Sequence, residues 1–299
     1  MSRASDHDLN ELWPDLGRDL ATLAAGLGPA LQPCFVAKIA ACGLPVEALP
    51  APKWDGLVLP ALQVPLWVAR RLGRAGMPVP TEAVRSAVLA AATGYLAVRV
   101  QDDRLDEGKG DEAPAHMLAS VLLLRHSHAL AQAAGAAHMD ANGLVQSAWS
   151  RYAEAMLLEH RLDRSPGGWC AKSWRQSLDR YAPMTLPPAM LLARTAQWAD
   201  IDRLDTLLME LAEIHQLFED AWDIAGDIAA GRITWQAQQW GAHTDPGAAT
   251  WHRIGGGLGE LVHDLSARAH RLAAVALAFE MPGLAEHAMS RAKAMHARV

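Results

Sequence analysis

Apolar residues recur at three- and four-residue spacing along almost the whole chain. Val, Ile and Thr nowhere alternate with polar residues over the length of a strand. That period puts one apolar stripe on each of a series of amphipathic helices. The pattern predicts helices over 6–26, 29–42, 55–75, 81–106, 113–134, 139–162, 170–181, 185–198, 202–228, 247–278 and 283–297. Pro80 precedes the helix that starts at Thr81, and Gly108 and Gly110 end it. The pairs Gly167–Gly168 and Pro187–Pro188 punctuate the middle of the chain. Gly255–Gly256–Gly257 falls inside the stretch read as 247–278 and is a candidate break in it. No linker rich in Pro, Ser or charge divides the chain, and no repeat of 30–50 residues is evident. Helices joined by short connections argue for one large all-α antiparallel bundle over 1–299.

Composition narrows the function classes. The 299 residues carry 27 Lys+Arg against 33 Asp+Glu, a net charge of −6. That balance argues against binding nucleic acid or an anionic membrane, both of which need clustered positive charge. Hydrophobic residues make up 51%, enough apolar surface to exclude global disorder. Cys34, Cys42 and Cys170 cannot all pair and match no zinc spacing, so a reducing compartment is expected. The opening MSRASDHDLNELWPDL has no signal-peptide pattern. The longest apolar stretch, Leu57 to Val68, is interrupted by Pro60, Gln63 and Pro65. It falls short of the roughly 20 residues of a membrane span. A soluble, cytoplasmic protein without stable membrane insertion is the expectation. Trp is over-represented, 11 against 3 Tyr and 3 Phe, which suits either packing or an aromatic-lined cavity.

Two acidic segments carry the candidate chemistry. The first, Gln101-Asp102-Asp103-Arg104-Leu105-Asp106-Glu107, ends the apolar helix from Thr81. Asp102 and Asp106 stand at i and i+4 on one helix face, with Asp103 beside them. Carboxylates at a helix C-terminus oppose the dipole and ask for a compensating cation. In the second segment Asp220, Asp223 and Asp227 form a stripe at i, i+3 and i+7. The same helix carries Leu207, Leu208, Leu211, Ile214, Leu217 and Phe218 and reads as largely buried. Buried carboxylates are costly unless neutralised. Oxygen-only donors at this density suit Mg²⁺, and two facing acidic helices would make a cluster of ions gripping a diphosphate. A di-iron carboxylate centre is rejected, because Glu213 with His215, and Glu159 with His160, lack the Glu-x-x-His spacing.

Asp102-Asp103-Arg104-Leu105-Asp106 resembles the DDxxD motif of trans-isoprenyl diphosphate synthases and class I terpene synthases. Gln216-Leu217-Phe218-Glu219-Asp220-Ala221-Trp222-Asp223 resembles their QxxDDxxD motif, with Glu219 in place of the first Asp. Gly226-Asp227 and Gly231-Arg232-Ile233-Thr234-Trp235 resemble the GD…GKxTxP tail, with Arg for Lys. Thr185 stands where the family has a Lys-Thr pair, with Met184 for the Lys. The resemblance covers roughly residues 50 to 240 and rests on the order and separation of the motifs. It implies an isoprenoid synthase-like bundle with a central cavity, commonly a homodimer. It implies metal ligands among Asp102, Asp103, Asp106, Glu219, Asp220, Asp223 and Asp227 for a cluster of Mg²⁺ ions, with Mn²⁺ as the alternative. Arg232, Gln216, Thr185 and Trp222 would bind substrate. Arg175 or Arg180, about 40–45 residues before Asp220, would sense diphosphate.

The departures from the family select among activities. Lys53-Trp54-Asp55-Gly56-Leu57-Val58-Leu59-Pro60 lacks the arginine of the family's GGKRxRP segment. Glu107-Gly108-Lys109-Gly110-Asp111-Glu112 lacks the Arg-Arg pair that follows the first motif. A second diphosphate would therefore be poorly held. The expectation is a terpene synthase, a carbon–oxygen lyase that ionises one allylic prenyl diphosphate and lets the cation cyclise. Small Ala97 and Val98 before the first motif imply, by the resemblance, a substrate of C15 or longer. The alternatives are a chain-elongating prenyltransferase using Arg70, Arg71 and Lys109 instead, a non-catalytic regulatory subunit of one, or a bundle with incidental acidic faces.

Overall fold

The computed structural model describes residues 12–42, 44, 60–107, 112–135, 138–165, 167–241 and 256–297. Among them there is no β-strand, and the chain is all-helical. In chain order the helices are α1 (Leu12–Gly26), α2 (Gln32–Ala41), α3 (Gln63–Arg74), α4 (Thr81–Glu107), α5 (Glu112–Ala134) and α6 (His138–Leu162). There follow α7 (Ala171–Ser177), continued by a 3₁₀ turn over Leu178–Tyr181, then α8 (Ala182–Thr195), α9 (Ile201–Ala229), α10 (Trp235–Gln239), α11 (Leu258–Ala278) and α12 (Pro282–His296). Most helix ends lie within a few residues of those expected from the apolar period. Residues 6–11, 55–59 and 247–255 of the expected helices, and the Gly residues at 108 and 110, lie outside the described residues.

Helix α8 departs from expectation. It runs through both Pro187 and Pro188 instead of being punctuated by them. Each proline removes an intrahelical N–H donor. Ala189, Leu191, Leu192 and Ala193 are nevertheless fully buried or nearly so, and that packing holds the helix together. Short α10 was not expected. Thr234 caps it, its hydroxyl accepting from the Ala237 N–H at 3.4 Å.

The chain divides into two compact units, residues 1–148 with 183–201 and residues 149–182 with 202–299. The core of the first unit is α4 packed along α5. Ala87, Ala90, Ala91, Ala92, Leu96 and Ala97 are wholly buried, so α4 is apolar almost all round. By length and composition the stretch Thr81–Asp103 could cross a membrane, but 78% of its window is buried against protein. A helix apolar all round is what the centre of a bundle requires. On α5 the stripe Leu118, Leu122, His126, Ala129, Leu130 and Ala133 faces the core. In the second unit α11 and α12 form an antiparallel hairpin through Leu261, Leu265, Leu272, Leu284, Ala288 and Met295.

The α4–α5 packing is tight at one point. The His126 ring is fully buried, and its Nδ1 lies 2.7 Å from the Ala90 carbonyl, to which it donates as the neutral ring. Burial pushes its pKa down to about 4. A Cβ on Gly94 would stand 2.9 Å from His126 Nδ1 and 3.0 Å from its Cε1. Gly94→Ala should therefore lower the stability to urea unfolding by about 1–3 kcal/mol, despite alanine's better helix propensity. An unchanged unfolding midpoint would show that the ring can move aside.

Candidate functional site

The two acidic segments lie in different units. In the first unit, α4 presents Asp102 and Asp103 half-buried near its C-terminus. Lys38 of α2 forms an ion pair with Asp103. Arg99, one turn earlier, lies 3.6 Å from Asp102 and 3.8 Å from Asp103. The cations that the helix dipole calls for are thus supplied by the chain itself. Asp106 is on α4, but its side chain lies outside the described residues, as does that of Trp222 on α9. Thr185 is buried in α8 of the first unit, beside buried Met184.

In the second unit, α9 carries the second segment. Glu219 is its most heavily bonded carboxylate. Arg180 Nη2 donates to Glu219 Oε2 at 3.0 Å, the Tyr181 hydroxyl donates to the same oxygen at 2.6 Å, and His215 Nε2 lies 3.2 Å from Oε1. Burial would raise this carboxyl, but His215, Arg180 and Tyr181 outweigh it and hold it well below the usual range. Arg180 also reaches back to α6, donating from Nη1 to Glu159 Oε1 at 2.5 Å. One guanidinium therefore ties α6, the 3₁₀ turn and α9 together.

Asp220, the next residue, has the opposite environment. It is buried, and among the described residues only Gln216 Nε2 bonds it, donating to Oδ1 at 2.6 Å. Its Oδ2 is buried with no hydrogen-bond partner among them. Burial pushes its pKa up to about 8, against the hydrogen bond from Gln216 and the charge of Arg180. Asp163, in the turn just after α6, is similar. Burial and the neighbouring Glu159 raise it to about 7, although Trp169 Nε1 donates to its Oδ1 at 3.2 Å. Asp223 is exposed.

After α9 the chain turns sharply at Gly231, whose φ of +75° favours glycine. That turn brings Arg232 back onto Asp227, with Nη2 donating to Oδ1 at 2.6 Å. It also seats the Ile233 N–H on the Asp163 carbonyl at 2.9 Å, and Trp169 Nε1 donates to the Ile233 carbonyl at 2.8 Å. The structure thus joins Gln216, Glu219 and Arg180 into one network, and separately joins Asp227 with Arg232. Arg175 is exposed on α7. Sequence reasoning missed Glu159, Asp163, Tyr181 and His215 as members of this region. Glu159 and Asp163 stand at i and i+4, a signal open to the same argument that picked out Asp102 and Asp106.

Among the described residues no three His, Cys, Asp or Glu side chains converge as a ready-made metal site. Compared with known proteins, the chain matches no family model, no curated protein and no solved structure.

Two outcomes follow from this electrostatic arrangement. The folded chain holds protons on Asp163 and Asp220 that the unfolded chain releases above about pH 4. Their contribution to stability should fall as pH rises to about 7 for Asp163 and about 8 for Asp220, at about 1.4 kcal/mol per pH unit for each group, against the opposite contribution of buried His126 below about pH 6.5. Asp220→Asn should flatten that decline between pH 5.5 and 8.5 in urea unfolding, and an unchanged slope would contradict it. Glu219→Gln should cost about 1–3 kcal/mol, because it leaves Arg180 half-compensated at a site that solvent partly screens. Thermal and urea unfolding of that variant measure it.

Proposed function

We propose that the chain is a Mg²⁺-dependent class I terpene synthase that ionises one allylic prenyl diphosphate and lets the resulting cation cyclise or rearrange. The observation that carries this reading is Asp220. It is a buried carboxyl with an unbonded Oδ2, on a helix that also presents the exposed Asp223 one turn on. The described residues supply no hydrogen-bond partner for that oxygen, and a hard oxygen donor of this kind fits Mg²⁺. Few protein ligands per ion are expected, since Mg²⁺ retains waters and substrate phosphates. Further support comes from the order and spacing of the two acidic segments in an all-helical chain.

In this reading Asp102, Asp103 and Asp106 on α4 are one set of metal ligands, for which Mg²⁺ would compete with Lys38 and Arg99, and Asp220 and Asp223 on α9 are another. Mg²⁺ when bound supplies Lewis-acid neutralisation of the departing diphosphate. Glu219 and Asp227 are already committed to Arg180 and Arg232, so their part is to hold those guanidinium groups. Arg180 and Arg232 are half-buried guanidinium groups whose positive charge would favour a diphosphate. Tyr181 and Gln216 fix the Glu219 and Asp220 carboxyls in place.

The test incubates the purified chain and Mg²⁺ with geranyl, farnesyl, geranylgeranyl or geranylfarnesyl diphosphate, each with and without isopentenyl diphosphate. A hydrocarbon or terpene alcohol from one allylic substrate alone is the expected product, from a substrate of C15 or longer. Asp102→Asn and Asp220→Asn should each reduce turnover by about a hundredfold or more. A longer diphosphate formed only with isopentenyl diphosphate would make the protein a chain-elongating prenyltransferase. No turnover and no Mg²⁺-dependent stabilisation by diphosphate would overturn the diphosphate reading.

A further inference from the structure

A cavity of about 610 Å³ opens in the first unit where the start of α4 meets the ends of α5 and α8. That is ample for a small organic molecule. None of the residues assigned to diphosphate lines it. Its floor is apolar, with Ala83, Leu89 and Ala134. Ala134 belongs to the buried cluster of Ala90, Leu130 and Leu191, against which Leu89 also packs, so the floor rests on rigid core.

Its charge is one-sided. Among the described residues Arg85 is the only cationic side chain in the lining, against two carboxylates, Asp19 and Glu82. Arg85 Nε and Nη2 are spent on Asp19, at 2.9 and 2.6 Å. One guanidinium cannot neutralise both carboxylates, and Glu82 stands exposed beside the paired residues. The helix ends add to this. Ala134 and Gly135 mark the C-terminal end of α5, and Thr195 that of α8. Helix C-termini carry the negative end of the dipole. The opposing N-terminus of α4 is positive, but Glu82 in its first turn answers it.

We propose that this cavity is a binding site for a small organic monocation, an amine with a hydrocarbon body. The ammonium lies near Glu82 and the carbonyl end of α5, and the body lies on Leu89 and Ala134. An anion of the same shape meets net negative charge and is rejected. A neutral analogue keeps the apolar contact and loses the charge.

The proposal is tested by calorimetric titration of the full chain at pH 7.5, without Mg²⁺ or diphosphate. The probes are 2-phenylethylamine, 2-phenylethanol and 3-phenylpropionate. The amine should bind saturably, about tenfold or more tighter than the other two, and more weakly as salt is raised. Glu82→Gln, which leaves the Asp19–Arg85 pair intact, should weaken the amine about fivefold or more while leaving the alcohol unchanged. Ser86→Phe, which fills the cavity from its wall, should abolish binding of both while helical content by circular dichroism is retained. Equal binding of all three probes, no saturable binding of the amine, or an amine affinity indifferent to Glu82→Gln would overturn it. Because no metal or prenyl substrate is present, failure here leaves the terpene synthase reading where it stood, and failure of that reading leaves this one intact.

Discussion

A single half-exposed carboxylate organises the polar interior of the second unit. Glu219 accepts from Arg180 and Tyr181 and stands beside His215, while Arg180 carries the link on to Glu159. Five groups that would each be costly to bury alone are linked to one another. The network fixes the end of α6, the 3₁₀ turn and the middle of α9 relative to each other. It is also why Asp220 has so few choices. The cation nearest to that acid is already shared between Glu159 and Glu219, so burial decides its ionisation. Asp220 is left with one amide bond and one unbonded oxygen.

The first unit rests on a different constraint, which is volume. A nearly all-apolar α4 can lie against α5 only where side chains are small. The run Ala90, Ala91, Ala92 and Gly94 supplies that, with the His126 ring filling the space beside Gly94. A wholly buried imidazole is tolerated there because its Nδ1–H meets the Ala90 carbonyl and because burial keeps it neutral. The ion pairs made by Arg85 with Asp19 and by Asp103 with Lys38 stand towards the two ends of α4. The helix that composition alone could place in a membrane is therefore a core helix with charged ends.

Much of the fold was legible because it depends on a short-range signal. The 3.6-residue period locates α4, α5, α6 and α9 to within a few residues, since one apolar face per helix is what each must bury. The failures have tertiary causes. Pro187 and Pro188 read as punctuation inside the helix expected over 185–198, yet α8 starts earlier, at Ala182, and its buried side chains keep the helix at the cost of two hydrogen bonds. The site was legible only in part. Spacing singled out Asp220, and the family resemblance pointed to Glu219 and Arg180, but neither showed that Arg180 would spend itself on Glu219 and Glu159. Side-chain pairing between α6 and α9 spans some 60 residues of sequence and leaves no periodic trace. Glu159 and Asp163 were overlooked because their significance lies in what they face, not in their own segment.

Glu219 and Asp220 are neighbours on one helix and are treated in opposite ways. Adjacent helical positions point about 100° apart, so the two carboxyls sample different surroundings. One meets a guanidinium, a phenol and an imidazole, and stays ionised. The other meets a single amide and apolar packing, and retains its proton to about pH 8. A motif that puts two acids side by side thus yields one fixed negative charge and one latent one. A glutamate at 219 suits this division, because its side chain reaches Arg180, Tyr181 and His215 together. The outcome is a helix whose resting charge is low enough to bury.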